Sequence, residues 1–207
     1  MTRRALGAWI ALAMWPTLCV GQLPNVERGE RIYDICGACH GAQGQGEQTL
    51  LAPPLAGQQA AYLLRQLRNF HSGRRGAKED VQAQEMQQIL KTVSAESDWQ
   101  AVIAFVATLP LSRSHEAIDG DVVRGQQIYA TCASCHGSAG EGNELLEAPS
   151  LAQLPGWYIV EQLRKFQKGT RPAVDGPSTR MRAIAATLQF DKDVAPVTAY
   201  IVAKLRR

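Results

Sequence analysis

Cys36-Gly37-Ala38-Cys39-His40 and Cys132-Ala133-Ser134-Cys135-His136 are the two stretches on which the reading of this 207-residue chain turns. They belong to a longer repeat. Upstream, Arg28-Gly29 and Ile32-Tyr33 recur as Arg124-Gly125 and Ile128-Tyr129. Downstream, Gly41, Gly44, Gly46, Ala52-Pro53, Leu55 and Tyr62 recur as Gly137, Gly140, Gly142, Ala148-Pro149, Leu151 and Tyr158. Gln66-Leu67-Arg68, Phe70, Gly73 and Arg75 recur as Gln162-Leu163-Arg164, Phe166, Gly169 and Arg171, every pair at an offset of 96. A unit of that length can bury its own core, so the pattern reads as two tandem domains rather than as two turns of a solenoid. The expected domains are 22–110 and 121–207, joined by a linker over 111–120 in which Ser112, Ser114, Asp119 and Gly120 suit an exposed connector.

Each repeat reads as helical, so the expected class is all-α. Helices are expected over Asn25 to Ala38, over Gln59 to His71 with Tyr62, Leu63, Leu67 and Phe70 at helical spacing, and over Ser97 to Leu109 with Trp99, Val102, Ile103, Phe105 and Val106 on one face. The Gly- and Pro-rich stretch from His40 to Pro54 and the polar stretch from Ser72 to Gln84 read as loops. In the second repeat, helices are expected from Trp157 to Phe166 and from Lys192 to Leu205. No strand pattern of useful length occurs.

The spacing C-x-x-C-H has a physical cause. Two cysteines three apart on a helical turn point the same way and reach the two vinyl groups of one porphyrin, and the adjacent histidine projects onto the iron. Cys36, Cys39 and His40 thus form one haem c attachment set, and Cys132, Cys135 and His136 a second. A zinc site would pair two C-x-x-C motifs within one small module, whereas these lie 96 residues apart. A thioredoxin-like disulfide would sit beside a strand, and none is predicted. Two covalently attached haem c groups with their iron are therefore the expected cofactors.

A second axial ligand is the next requirement. Beyond the N-terminal segment the chain has two methionines, Met86 and Met181, one per repeat, 46 residues after His40 and 45 after His136. Each precedes by 13 residues the apolar residue that opens the last helix, Trp99 or Val194. Methionine is ordinarily a core filler, but that matched placement marks both as ligands, so the expected metal-binding residues are His40, Met86, His136 and Met181. A proximal histidine also needs a carbonyl to accept from its free ring N–H, and the loops at Pro53 and Pro149 are placed to supply one. Tyr62, Tyr158, Arg65, Arg68 and Arg164 are candidates for haem propionates or for the face between the domains; their ordinary roles are surface and core. His71, matched by Gln167, and His115, in the linker, are read as surface residues.

The N-terminus has a separate character. Met1 to Arg4 is basic, and Ala5 to Val20 carries no charge. These are the n- and h-regions of a secretory signal, expected to be removed near Gly21 and to send the protein to the periplasm. A retained membrane anchor is the rival reading, but the run is shorter than the roughly 20 residues a span needs, and Pro16 interrupts it. Cys19 lacks the small preceding residues of a lipidation site, because Leu18 stands directly before it. The Arg3-Arg4 pair invites a twin-arginine reading, which the attachment of haem c to an unfolded, already exported chain opposes. The formal net charge of +3 falls to +1 without Arg3 and Arg4, with −1 over 22–110 and +3 over 121–207. That is too weak a basic bias for nucleic acid but enough to orient a redox partner.

With these residues assembled, the chain resembles the dihaem cytochrome c4 family over nearly all of the sequence beyond the leader. The carrying stretches are Cys36 to Gly41, Pro54-Leu-Ala-Gly-Gln58 with Ala61-Tyr62-Leu63, Gln66-Leu-Arg-Asn-Phe70, Cys132 to Gly137, Gln162-Leu-Arg-Lys-Phe166 and Met181-Arg-Ala-Ile-Ala-Ala186. Leu151-Ala-Gln-Leu154 departs from the family's Leu-x-Gly-Gln at that turn. A tandem member of the cytochrome c553-like group is a close alternative. The resemblance implies two class I cytochrome c folds packed face to face, each wrapped around one covalently bound haem c, with His/Met ligation at both irons. It also implies electron transfer without enzymatic turnover, with a cytochrome bc complex, a dehydrogenase or a terminal oxidase as partner and membrane association only through such partners. The rival functions are a cytochrome subunit of a larger dehydrogenase and a dihaem redox enzyme of the peroxidase or thiosulfate-oxidising kind.

Overall fold

In the computed structural model, residues 25–111 and 118–205 are described. The leader of residues 1–21 with Cys19, and Ser112, Ser114 and His115 of the linker, lie outside them. The described residues form helices and loops with no named strand; two isolated bridges, Glu47 with Ala52 and Asn143 with Ala148, pin equivalent loops in the two halves. No described helix is long and apolar enough to cross a membrane.

The first half comprises α1 (Val26–His40), α2 (Ala60–His71), α3 (Val81–Thr92) and α4 (Glu96–Val106). The second comprises α5 (Val122–His136), α6 (Gly156–Lys168), α7 (Gly176–Thr187), a π-helical turn (Phe190–Val194) and α8 (Ala195–Lys204). Short polar side chains start several of them by accepting from orphan N–H groups of the first turn. Asn25 accepts from Arg28 N at 2.9 Å, Asp121 from Arg124 N at 3.0 Å, Asp80 from Ala83 N at 3.2 Å, and Asp175 from Ser178 N at 2.8 Å in a capping box.

In each half the first helix crosses the last, α1 on α4 and α5 on α8. The crossing is close because of a glycine. A Cβ on Gly29 would stand 2.0 Å from the Ala101 carbonyl oxygen, and one on Gly125 2.1 Å from that of Pro196. Beside the crossings, Tyr33 meets Phe105 with ring centroids 5.2 Å apart, and Tyr129 meets Tyr200 at 5.4 Å. Of the face expected from sequence in the first half, Trp99, Val102, Ile103 and Val106 are in the core and Phe105 is half-buried beside Tyr33; Val194, Val197 and Ile201 are buried in the second half.

Two expectations need correction. The polar stretch ending at Gln84 is not all loop, because α3 begins at Val81 and runs past Met86 to Thr92. Its apolar stripe, Ala83, Met86 and Leu90, is thin among glutamines, and the Asp80 cap was the available signal. The last helix is not continuous from Lys192. Asp193 accepts from Gln189 N at 2.8 Å, the chain makes a π-helical turn, and the α-helix begins at Ala195.

Candidate functional site: two cavities facing a shared interface

The C-terminal end of α1 carries Cys36, Cys39 and His40, which line a largely apolar cavity together with Pro53, Leu63, Phe70, Met86 of α3, Trp99 and Val102. The second half repeats this with Cys132, Cys135, His136, Pro149, Met181 of α7 and Val197. Each cavity thus gathers its two cysteines, its histidine and its methionine.

Both histidines are buried and their orientation is set by one contact. His40 Nδ1 lies 2.7 Å from the Pro53 carbonyl oxygen, and His136 Nδ1 lies 2.9 Å from that of Pro149. A carbonyl only accepts, so Nδ1 carries the proton and donates, which leaves the Nε2 lone pair free for a metal. Burial also pushes both imidazole pKa values down, against the raising effect of these hydrogen bonds, and favours the neutral, ligating form. Burial pushes the Cys36 and Cys132 thiols up to about 11, as expected of cysteines in an apolar setting rather than of reactive thiolates.

The two halves meet through a buried polar cluster. Arg75 Nη1 donates to Gln66 Oε1 at 2.5 Å and Nη2 to Gln162 Oε1 at 3.3 Å. Arg171 mirrors it, donating to Gln162 at 2.7 Å, Gln66 at 3.3 Å and the Tyr62 hydroxyl at 3.2 Å. Each guanidinium also lies over a phenyl ring of its own half, Arg75 over Phe70 and Arg171 over Phe166. Neither arginine forms an ion pair with a carboxylate among the described residues, although both are more than nine-tenths buried. Burial, then repulsion from Arg171, lowers the pKa of Arg75. Arg75 Nε and Gln66 Nε2 are buried without hydrogen-bond partners.

Two buried cations facing each other without a directly paired carboxylate, Asp80 acting on Arg171 only from farther off, are costly. Haem c brings carboxylates, and Arg75, Arg171, Tyr62 and Tyr158 are donors of the right type for them on cavity walls. The residues present therefore fit the cofactor. Sequence reasoning singled out the tyrosines but registered Arg75 and Arg171 only as a repeated pair.

The other interface candidates divide. Arg65 crosses the interface, with Nη1 3.0 Å from Asp175 Oδ2 and Nε 2.7 Å from Glu147 Oε2. Arg68 and Arg164 do not cross it. Arg68 pairs with Glu96 of its own half, and Arg164 lies over Phe190 beside Glu161, both on the exterior. His71 is exposed, its ring edge against Trp99. At the departing turn, Gln58 Nε2 donates across to Ser150 O at 2.9 Å, and the matching position in the second half is the buried Leu154, which lines both cavities.

This arrangement is that of a cytochrome c, and the chain belongs to that family: its Cytochrome c model matches twice, over residues 26–110 and 122–203. Within it the chain is a member of the dihaem cytochrome c4 family. It is 33% identical over 182 residues to cytochrome c4 of Pseudomonas aeruginosa, covering 84% of this chain and 85% of that one. It superposes on the structure of reduced recombinant cytochrome c4 from Pseudomonas stutzeri with a TM-score of 0.69 at 26% identity, over 86% of this chain and 97% of that one. It is also 30% identical over 212 residues to a thiosulfate dehydrogenase electron acceptor of Stutzerimonas stutzeri, covering 90% of this chain and 93% of the relative. The expected all-α fold of two tandem cytochrome c domains and the two covalent haem c groups are thereby established, as is a role in electron transfer.

Proposed function

We propose that the protein is a periplasmic electron carrier with His40 and Met86 as axial ligands at one iron and His136 and Met181 at the other. It moves electrons between a respiratory complex or dehydrogenase and a terminal oxidase, and is not itself an enzyme. The observation that carries the reading is the gathering of one histidine and one methionine with the cysteine pair in each cavity. Haem iron supplies a one-electron couple whose potential a His/Met pair raises. The chain's part is to hold both ligands, keep the imidazoles neutral by burial and oriented by Pro53 and Pro149, and exclude water with apolar walls. A histidine and a methionine in each cavity leave no position for O₂ or peroxide. Cys39 is exposed, so a haem held by it would have one attachment side open to a redox partner. Export rests on the basic and then apolar leader of residues 1–21.

The Stutzerimonas relative supports a more particular version, in which the donor is a dehydrogenase acting on a small sulfur oxyanion. Stopped-flow oxidation of the reduced protein by a terminal oxidase, reduction by a thiosulfate dehydrogenase with thiosulfate, and exposure to peroxide test both. The expected result is fast, salt-sensitive exchange with at least one protein partner and negligible peroxide turnover. Rapid peroxide turnover by the untreated protein would replace the carrier reading with the dihaem enzyme.

A further inference from the structure

Met86 and Met181 ride on helices that start in the same way. Each stands six residues after the aspartate that caps its helix, Asp80 on α3 and Asp175 on α7. Each of those aspartates is held by the opposite half of the molecule. Lys165 of α6 places Nζ 2.6 Å from Asp80 Oδ1 and 3.0 Å from Gln82 Oε1. Both members of the pair are buried, Asp80 to 1% exposure and Lys165 to 8%. In the other direction, Arg65 Nη1 donates to Asp175 Oδ1 at 3.1 Å and Oδ2 at 3.0 Å, and Asn69 Nδ2 donates to Oδ2 at 2.7 Å. Arg74 donates to the Val174 carbonyl just before the cap.

The two clamps are reciprocal but chemically different. Arg65 and Asn69 stand one turn apart on α2, and their counterparts at the repeat offset are Glu161 and Lys165, one turn apart on α6. The cation has changed places within the turn. Asp175 keeps a capping box with Ser178, two donors from α2 and a position within reach of solvent. Asp80 has the Lys165 ammonium and the Ala83 amide on one oxygen, while Oδ2 has no hydrogen-bond partner.

We propose that Lys165, and Arg65 with Asn69, are positioning residues for the axial thioether of the opposite domain, so that each domain holds the other's ligand helix in place. The proposal rests on the His/Met reading above. Its physical basis is that a helix of 12 residues is marginal alone and depends on its cap and its packing. A buried carboxylate that loses its counter-ion is strongly destabilised. Removal of Lys165 therefore unseats the start of α3 in a domain to which Lys165 does not belong. The Asp80 clamp, with one bonded cation, the Arg171 charge farther off and one unpartnered oxygen, is the more sensitive of the two.

The test uses the full two-haem protein. Added imidazole displaces the thioethers, and the near-infrared charge-transfer band together with the shifted methionine methyl signals, assigned with Met86→Ala and Met181→Ala, gives a rate for each. Lys165→Leu is expected to release Met86 about tenfold faster or more while Met181 keeps its wild-type rate, and Arg65→Gln to do the reverse. Lys165→Arg should restore the Met86 rate. Should Lys165→Leu not take up two haems, Asn69→Ala carries the test and must accelerate Met181 alone. Unchanged rates, equal acceleration of both methionines, or acceleration confined to the mutated domain would overturn the clamp. Absence of thioether signals from the wild type would instead remove the ligation reading beneath it.

Discussion

At the scale of the residue, the decisive contact in each cavity joins a histidine to a proline carbonyl. Because Pro53 O and Pro149 O only accept, the proton on each ring is assigned without reference to anything bound, and the second nitrogen is left to ligate. The methionine proposed as the opposite ligand would be more easily disturbed, because a thioether is a weak donor and both side chains are half-buried. Met86→Ala and Met181→Ala are each expected to remove one thioether contribution to the near-infrared spectrum and to lower the potential of one haem, with the other unchanged. A near-infrared band surviving in the double variant would exclude both assignments. His71→Ala serves as the control: the ring is exposed and only edges Trp99, so both haem spectra should match the wild type.

Among the helices, the tightest requirement falls where α1 crosses α4 and α5 crosses α8. Gly29→Ala and Gly125→Ala each place a methyl well inside van der Waals contact distance of a backbone oxygen, which has no flexible end to move aside. Separating the helices costs about 1–3 kcal/mol, and a lower thermal midpoint for both variants, with spectra retained at low temperature, is the expected outcome. An unchanged midpoint would mean that the crossing is looser than drawn.

The cap of α7 makes a prediction of a different kind. Burial alone would raise the Asp175 carboxyl, but hydrogen bonds from Ser178, Asn69 and Arg65 outweigh it and hold the group well below the usual carboxylate range. A depressed folded-state pKa stabilises the fold above the unfolded-state value and is lost as pH falls through the folded one. Acid titration of the thioether signals should therefore show Met181 retained below the ordinary carboxylate range in the wild type, and released at higher pH in Asp175→Asn. Coincident titrations would show that the cap does not govern α7. Of these elements α2 and α4 were legible from apolar periodicity, α1 from the haem motif it runs into and α6 from the repeat, whereas α3 was not, because Gln82, Gln84, Gln87 and Gln88 dilute its stripe and its cap is gripped by another domain.

Taken whole, the molecule is two copies of one plan turned toward each other, and its two kinds of information have different sources. The haem attachment sets, the duplication and the matched methionines were fixed locally by residue type and spacing, since bonding two vinyl groups and an iron demands C-x-x-C-H wherever it lies along the chain. The cross-domain partners of Arg75 and Arg171 and the cross-domain grip on Asp80 and Asp175 join residues 85 to 110 apart in the sequence, and the pair that keeps Arg68 out of the interface joins residues 28 apart. Nothing in the pattern of either repeat announces them. They depend on how two similar surfaces, differing at positions such as Asn69 and Lys165, pack together, and only tertiary structure decides which charge meets which.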